Sequence, residues 1–342
     1  MTTLEDPGSG LAPTPLPNLA FLGTGWIGRN RLEALHRSGA AVIASVCDAD
    51  RQAAEDTATA VGAAVDDDLD TILERDDIDG VVIATPSALH ASQAQACLRR
   101  GLAVFCQKPL GCTTSDVRAT VKTARDADRL LGVDMSYRKT AAAEAVASVI
   151  ASGELGEVYA GRLVFHNAYG PDKAWFMDPA LAGGGCVMDL GIHLVDLARC
   201  VLGERRFTDI DAALFNRGRR VLHSANEPED HALVTLQNDG CTLQLACSWF
   251  LDAGRDAVIE ATFYGTEAAV SFHNVDGSFY DFEATLMKGT TSKTLVEPPD
   301  DWGGRTLVDW ATRLAVSPEF DEAVEEHVTL AVTIDRIYGR FP

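Results

Sequence analysis

Hydrophobic and polar positions alternate along the chain in two different rhythms. Up to about residue 150, short continuous apolar runs alternate with amphipathic stretches of helical spacing. Continuous apolar runs bounded by turn residues are typical of buried parallel strands, and the stretches between them are typical of crossover helices. This part is therefore predicted to form a doubly wound parallel sheet. The predicted strands are 19–22, 41–46, 80–84 and 102–106, and the predicted helices are 26–37, 50–61, 88–100 and 114–129.

The second rhythm begins after residue 150 and contains strands that follow one another without helices. A run of this kind predicts one large, mostly antiparallel open sheet, so the second domain is assigned to the α+β class. The predicted strands are 158–165, 210–215, 231–237, 241–250, 257–264, 268–272 and 279–282, and the predicted helices are 141–152, 189–202, 306–314 and 320–338.

The two rhythms divide the chain into a tail and two domains. Residues 1–18 are rich in proline and glycine and are predicted to form a disordered tail. Residues 19–137 form the α/β domain, and residues 138–342 form the α+β domain, whose last helices are expected to return to the first. A wide open sheet needs a cover, so a homodimer or homotetramer through this sheet is expected.

Composition adds limits on partners and compartment. The 342 residues carry 29 Lys plus Arg and 50 Asp plus Glu, a net charge of 29 − 50 = −21. That charge argues against general binding to nucleic acid or to an anionic membrane. The sequence shows no export signal or membrane anchor, and its eight cysteines form no C-x-x-C pair. A cytoplasmic protein with reduced, buried cysteines is expected.

A glycine-rich turn joins the first predicted strand to the first predicted helix. Gly23, Gly25 and Gly28 match G-x-G-x-x-G, with Trp26 and Ile27 inside the motif. In this context the first glycine permits the tight turn, the second lets a pyrophosphate approach the backbone, and the third permits close packing of helix on strand. N–H groups at the helix start can hold an anion without a basic patch. The motif therefore predicts a dinucleotide site.

The end of the second predicted strand supplies an acidic residue. Asp48 lies 20 residues after Gly28, where a carboxylate is expected to accept hydrogen bonds from ribose hydroxyls. A carboxylate there repels a 2′-phosphate, so NAD is favoured over NADP, although Arg51 softens the repulsion. The alternative is that Asp48 caps the helix that begins near Asp50.

Five short motifs together carry a resemblance to a known family. Their order and spacing over residues 19–202 resemble the Gfo/Idh/MocA oxidoreductases, relatives of glucose–fructose oxidoreductase and inositol dehydrogenase; beyond residue 205 only the strand-rich pattern agrees. The motifs are Gly23-Thr-Gly-Trp-Ile-Gly28, Ala84-Thr-Pro-Ser-Ala-Leu-His90, Gln107-Lys-Pro109, Gly153-Glu-Leu-Gly156, and Gly183-Gly-Gly185 followed by Asp189-Leu-Gly-Ile-His193.

The resemblance assigns a catalytic lysine. The family's Glu-Lys-Pro is Gln107-Lys108-Pro109 here, and the matching lysine binds cofactor and substrate and polarises the reacting oxygen. An ammonium in a partly dry site favours the alkoxide-like oxygen of hydride transfer. Gln107 departs from the family pattern, so Lys108 loses one counter-ion, while the loop geometry and a cofactor contact at 107 are expected to survive. Taken alone, Lys108 also fits a solvated surface lysine.

The resemblance also assigns Asp189 and His193, which contact substrate on one face of a predicted helix. His193 is the expected general acid/base, because an imidazole titrates near neutrality, and Asp189 contacts substrate and tunes it. Asp196 is a candidate to orient the imidazole. The alternatives are a surface Asp/His pair and a metal pair, but no third ligand has suitable spacing, so no metal site is predicted.

Two further groups follow from the matched segments. Thr85, Pro86 and His90 come after a predicted parallel strand and are expected near the cofactor, although His90 also fits a packing role. Four residues match segments that line the substrate pocket of relatives, with core or structural roles as alternatives for Tyr137, His166 and Trp175. They are Tyr137, Arg138, His166 and Trp175.

Together these features predict an NAD(P)-dependent dehydrogenase or reductase. The expected substrate is a secondary alcohol or ketone of a sugar, inositol or nucleotide-linked sugar, with a biosynthetic role of the antibiotic aminosugar or aminohydroxybenzoate kind as a further suggestion. Two alternatives stay open: a glycosidase that uses bound NAD for transient oxidation, and a non-catalytic NAD-binding regulator. The presence of Lys108, Asp189 and His193 counts against the regulator.

Overall fold

The computed structural model describes residues 15–203, 207–221, 227–238 and 240–340. Residues 1–14 of the predicted tail lie outside this range, and the first strand already includes residue 18. The strands of the first sheet are β1 (Asn18–Leu22), β2 (Val42–Cys47), β3 (Ala64–Val65), β4 (Gly80–Ile83), β5 (Ala103–Gln107) and β6 (Leu131–Asp134). The helices of this half are α1 (Trp26–Ser38), α2 (Arg51–Val61), α3 (Leu69–Glu74), α4 (Ser87–Arg99) and α5 (Thr114–Ala127).

Within the described residues, the first sheet is parallel with the order β3-β2-β1-β4-β5-β6. Its central strands β4 and β5 are buried along their whole length, as their continuous apolar sequences predict. The predicted doubly wound fold is confirmed. The pattern missed β3, α3 and β6, because runs of two to six residues are too short to show a periodicity.

The second half builds a wider sheet. Its helices are α6 (Ala141–Ala151), α7 (Pro179–Ala182), α8 (Ile192–Leu202), α9 (Arg305–Leu314) and α10 (Glu326–Ile337). Its strands are β7 (Val158–Asn167), β8 (Asp209–Asn216), β9 (Arg219–Val221), β10 (His231–Asn238), β11 (Cys241–Ser248), β12 (Ala257–Gly265), β13 (Ala269–Asn274), β14 (Phe282–Lys288) and β15 (Thr291–Val296).

This second sheet has the order β15-β14-β13-β12-β7-β11-β10-β8-β9 over the described part of the chain. The β7–β11 pair is parallel and its other described pairs are antiparallel, so the predicted, mostly antiparallel sheet is confirmed. Along β7, Leu163 and Phe165 are buried on the face that carries the helices, while Arg162 is exposed on the other face.

One predicted strand is wrong. Residues 279–282 form mostly a turn, and the strand begins only at Phe282. The Ser278 hydroxyl donates to Asp281 (2.8 Å), and the Asn274 amide donates to the Ser278 carbonyl (2.8 Å). These local hydrogen bonds compete with strand pairing. The edge strand β15 was missed because its first four residues are exposed and polar.

The helix α9 packs on the first sheet. Its Trp310 ring lies 5.6 Å from the Phe105 ring, and the space for it is opened by the missing side chains of Gly80 and Gly132. The helix α10 contacts α5, where the Thr114 N–H donates to Asp335 (2.7 Å). These contacts place the inner face of the second sheet close to the carboxyl ends of the first. Among the described residues, no helix is long and apolar enough to span a membrane.

Candidate active site

The glycine turn lies between β1 and α1 and has the shape that a pyrophosphate requires. Gly23 has φ of +97°, and a Cβ on it would lie 2.5 Å from the Ala84 carbonyl oxygen. A Cβ on Gly28 would overlap the Gly23 carbonyl, whereas a Cβ on Gly25 would meet nothing within 4 Å. Gly25 is the N-cap of α1, and no described side chain caps this helix. The free N–H groups and open space at Gly25 therefore fit a dinucleotide phosphate.

The residues beside this turn also lie where a dinucleotide would pass. Trp26 is 64% exposed in the first turn of α1, followed by the half-buried Ile27. Asp48 follows β2, and its Oδ2 accepts from the Thr24 N–H (2.6 Å) and hydroxyl (3.1 Å). The alternative that Asp48 caps α2 is wrong, because Asp50 occupies the cap and accepts from the first-turn N–H groups. Asp48 thus belongs to the glycine turn.

Lys108 follows directly on β5 and points to the second domain. Its ammonium donates to the Asp189 carboxylate (Nζ to Oδ1, 2.8 Å) and to the Asp189 carbonyl (2.7 Å). Both side chains are less than one-fifth exposed. The surface-lysine alternative is therefore wrong. The counter-ion of Lys108 is Asp189, while Gln107 is buried and donates its amide N–H to Asp134.

Asp189 lies in a π-helical turn (Val187–Gly191) immediately before α8. Its second carboxylate oxygen accepts from the indole N–H of Trp249 (3.0 Å), the residue after β11. Asp189 therefore has one oxygen on Lys108 and the other on Trp249. Trp249 was missed by sequence reasoning, since its contact spans 60 residues and no motif marks it.

His193 lies in the first turn of α8, with its ring packed edge-on to Tyr137 at 4.9 Å and near Phe165 at 6.3 Å. Its Nδ1 is buried and makes no hydrogen bond among the described residues. Burial first, and then the charge of Lys108, lower the pKa of His193 well below its ordinary value. The imidazole is therefore neutral at neutral pH, which is the form that a general base requires.

Two predicted roles near His193 are corrected. Asp196 forms a two-pronged ion pair with Arg138, whose Nε lies 3.0 Å from Oδ2, so the expectation that it orients the imidazole is wrong. Arg138 also pairs with Glu326 (2.5 Å). All five donors of a guanidinium lie in one plane, and Asp196 and Glu326 take most of that fork. Arg138 is thus held in an ion-pair network rather than presented to a pocket, whereas its neighbour Tyr137 packs on His193.

Two residues expected to line the substrate pocket, His166 and Trp175, lie in different parts of the second domain. His166 alternates with the inward-facing Phe165 and so lies on the opposite face of the sheet from His193. There it bonds the Ser248 hydroxyl (2.7 Å), so the structure does not bring it to the site. The half-buried Trp175 stacks on Phe176 at 3.8 Å, and Phe176 packs edge-on to Trp249.

His90 joins two loops at the carboxyl ends of β4 and β5. Its side chain is 1% exposed, with Nδ1 2.7 Å from the Pro109 carbonyl and Nε2 2.7 Å from the Thr85 carbonyl. Both ring nitrogens are therefore occupied by backbone, and His90 acts on the site through the loops it holds. Thr85 and Pro86 themselves lie at the start of α4, next to the glycine turn through Ala84.

A buried carboxylate behind Asp189 was also missed. Glu229 accepts from the N–H groups of Val187 (2.9 Å) and Gly185 (3.1 Å) and from the Tyr338 hydroxyl (2.8 Å). A Cβ on Gly184 would overlap Tyr338, and one on Gly185 would overlap Glu229. The glycines of the motif therefore mark a close approach of backbone, but their partners lie at least 44 residues away.

The two halves of the chain match two family models of known proteins. A family model described as an oxidoreductase family with an NAD-binding Rossmann fold matches residues 18–135. The GFO/IDH/MocA C-terminal domain matches residues 143–271. Inositol 2-dehydrogenase of Rhizobium meliloti (strain 1021) is 35% identical over 256 residues, which cover 74% of each chain. The chain belongs to the Gfo/Idh/MocA oxidoreductase family. It is an NAD(P)-dependent oxidoreductase.

Two other matches extend this result. The 1,5-anhydro-D-fructose reductase of Ensifer adhaerens is 34% identical over 174 residues. These residues cover 50% of this chain and 52% of that relative. A crystal structure of GenD2 from gentamicin A biosynthesis, in complex with NAD, superposes with a TM-score of 0.80 at 25% identity, covering 98% of this chain and 97% of that one. Within the described residues, no cluster of three or more His, Cys, Asp or Glu could hold a metal ion.

Proposed function

We propose that this oxidoreductase transfers hydride between a nicotinamide and a CH–OH group of a sugar, an inositol or a nucleotide-linked sugar. The observation that carries this proposal is the Lys108–Asp189 ion pair beside the half-buried imidazole of His193. Lys108 follows the carboxyl end of β5 and reaches Asp189 of the second domain, while the neighbouring strand β4 leads to Ala84, which contacts the glycine turn. The relatives named for inositol and anhydrofructose support a polyhydroxylated substrate.

The proton chemistry falls to His193 and Lys108. In the oxidation direction, the neutral His193 imidazole accepts the proton of the substrate hydroxyl. The Lys108 ammonium stabilises the negative charge that develops on that oxygen. Asp189 fixes the ammonium through two hydrogen bonds, so the charge is in place before the reaction begins. NAD, when bound, supplies the carbon that accepts the hydride. Ketone reduction uses the same groups in reverse.

The residues that would hold NAD form a continuous path. The turn from Gly23 to Gly28 would hold the pyrophosphate, Asp48 the ribose, and Thr85 and Pro86 the nicotinamide half. NAD is favoured over NADP because Asp48 repels a 2′-phosphate. Arg51 does not offset this, since its guanidinium bonds Glu55 (Nε to Oε1, 2.9 Å) and Asp67.

The open face of the second sheet supports a homodimer or homotetramer. Helix α6 packs on one face, whereas Tyr159, Leu233 and Tyr264 are 54%, 48% and 39% exposed. Light scattering with size-exclusion chromatography tests this assembly, and a monomeric mass would contradict it. The likeness to GenD2 supports a biosynthetic setting, in which an aminosugar would be the substrate.

A substrate screen tests the proposed reaction. The purified protein is analysed for retained dinucleotide, and NADH absorbance is followed with inositols, hexoses, aminosugars and nucleotide-linked sugars. Net NADH formation that is lost in Lys108→Ala and His193→Ala supports the proposal. Lys139→Ala, from a surface Lys–Asp pair, and His36→Ala, an exposed histidine, are the matched controls.

Other outcomes would point to the two remaining functions. Glycoside cleavage without net NADH would identify an NAD-dependent glycosidase. Bound dinucleotide without turnover of any substrate in the panel would favour a regulator. Wild-type rates in both Lys108→Ala and His193→Ala would overturn the proposed mechanism.

A further inference from the structure

A buried carboxylate at the end of β6 collects an unusual number of donors. Asp134 is 1% exposed and accepts from the Arg31 guanidinium (2.6 Å), the Ser136 hydroxyl (2.7 Å), the Thr306 hydroxyl (2.5 Å) and the Gln107 amide. Arg31 is itself 5% exposed. A buried ion pair with every oxygen engaged is rigid, because breaking any contact leaves a charge without a partner.

This network touches the candidate active site through three elements. Gln107 is the residue directly before Lys108, and Arg31 lies in α1, which starts at the glycine turn. Tyr137, which packs on His193, follows Asp134 by three residues. The network therefore joins the helix of the cofactor turn to the strand that carries the catalytic lysine.

The charges of the network also act on His193. The Asp134 carboxylate raises the pKa of His193, while the Arg31 guanidinium and the Lys108 ammonium lower it. The other groups packed on the imidazole are the rings of Tyr137 and Phe165. Arg31 and Asp134 have opposite effects on His193. Loss of the Arg31 charge is therefore expected to raise the proton affinity of His193, and loss of the Asp134 charge to lower it.

The residue type at position 107 follows from this network. An amide at Gln107 donates a hydrogen bond to Asp134. A glutamate there would place a second carboxylate against the first in a site closed to water, and like charges at hydrogen-bond distance cannot both stay ionised at neutral pH. Gln107 and Asp134 are thus a matched pair of donor and acceptor.

We propose that Arg31, Asp134 and Gln107 are positioning residues of this enzyme, which hold Lys108 toward Asp189 and balance the electrostatic potential at His193. The inference rests on the proposed function for the role of those two groups. The network itself reacts with nothing. It fixes where the ammonium and the imidazole lie and how readily the imidazole takes a proton.

The first test exchanges donor and acceptor. Gln107→Glu is expected to lower kcat by about 10- to 100-fold, because the buried carboxylate pair distorts the segment before Lys108. The double variant Gln107→Glu/Asp134→Asn restores one amide and one carboxylate and is expected to recover about tenfold of the loss. Gln52→Glu is the matched control, since Gln52 donates to Asp56 on the exposed face of α2. There, water screens the same change.

The second test needs no substrate. NMR titration of ¹³C-labelled histidine follows His193, identified by its missing signal in His193→Ala. Arg31→Gln is expected to move the His193 titration to higher pH and Asp134→Asn to lower pH, while the Arg31→Gln/Asp134→Asn double variant returns close to wild type. Urea unfolding midpoints accompany each variant. Arg31→Gln/Asp134→Asn is expected to stay folded because it removes both charges of the buried ion pair, and Gln107→Glu/Asp134→Asn because it keeps one carboxylate in the network to balance the Arg31 charge.

Two results would overturn the inference. One is a shift of His193 in the same direction, or no shift, in both Arg31→Gln and Asp134→Asn. The other is a Gln107→Glu/Asp134→Asn enzyme that is folded and no more active than Gln107→Glu. If the substrate screen fails, the NMR result still decides the electrostatic role, so failure of the proposed function and failure of this inference remain separate.

Discussion

The cofactor turn and the catalytic pair are built in opposite ways. The turn from Gly23 to Gly28 is six consecutive residues whose shape is dictated by what a Cβ would strike. The catalytic pair brings together Lys108 and Asp189, 81 residues apart, and adds Trp249 from a third element. A contiguous motif needs only local sterics, whereas the pair requires that two sheets meet in the correct register.

This difference predicts that the two regions fail differently when mutated. Lys108→Ala is expected to lower kcat by about 10²- to 10³-fold, because the developing oxyanion loses its cation. Asp189→Asn is also expected to lower kcat, because the Lys108 ammonium loses the carboxylate that holds it in place. Affinity for NAD should change by less than about fivefold, since the glycine turn is untouched. Steady-state kinetics with isothermal titration of NAD measure both. A loss of NAD affinity as large as the loss of kcat would contradict the prediction that the two regions act separately.

The converse change is Gly28→Ala. Its Cβ would overlap the Gly23 carbonyl, a backbone atom that cannot rotate away, so the turn must deform. Affinity for NAD is expected to fall about 100-fold, roughly 2.7 kcal/mol. Gly25→Ala adds a Cβ that meets nothing within 4 Å, so its unfolding midpoint should stay at the wild-type value. Equal destabilisation of both variants would contradict the assigned division of roles.

A smaller effect is expected at Trp249. Trp249→Phe keeps the ring packed against Phe176 but removes the N–H that bonds Asp189. The carboxylate is then held by Lys108 alone, and kcat should fall about tenfold, equivalent to 1.4 kcal/mol. KM for NAD should not change. An unchanged kcat would show that the indole hydrogen bond does not position Asp189.

A last expected effect is on stability in acid rather than on catalysis. Burial lowers the pKa of His327 to about 4, and burial lowers that of His193 well below its usual range. Both folded values lie below the unfolded value, so the neutral forms stabilise the fold above about pH 6.5. That stability is lost as the pH falls from 6.5 toward 4, by at most ~1.4 kcal/mol per pH unit per histidine.

Urea unfolding at pH 7.5, 6 and 5 measures this slope. His327→Gln should flatten it, whereas His36→Gln, which changes an exposed histidine in the last turn of α1, should leave it unchanged. A slope that His327→Gln does not alter would assign the acid sensitivity to other groups.

The sequence alone was sufficient for the features that depend on neighbours along the chain. Apolar runs identified the central strands β4 and β5, and the glycine motif identified the turn beside Asp48. Lys108, Asp189 and His193 came from family motifs, and the structure brings them together. Short elements such as β3 escaped because two residues carry no periodicity.

Only the tertiary structure decided which side chains meet. In the folded protein Arg138 pairs with Asp196, and the Trp249 indole donates to Asp189. His166 lies on the far face of the sheet, where it stacks on His231. The fold also gives Gln107 a buried carboxylate as its partner. The physical reason is that turn sterics and periodicity act between adjacent residues, whereas these partnerships depend on strand register and on which charges remain unpaired after the two sheets pack.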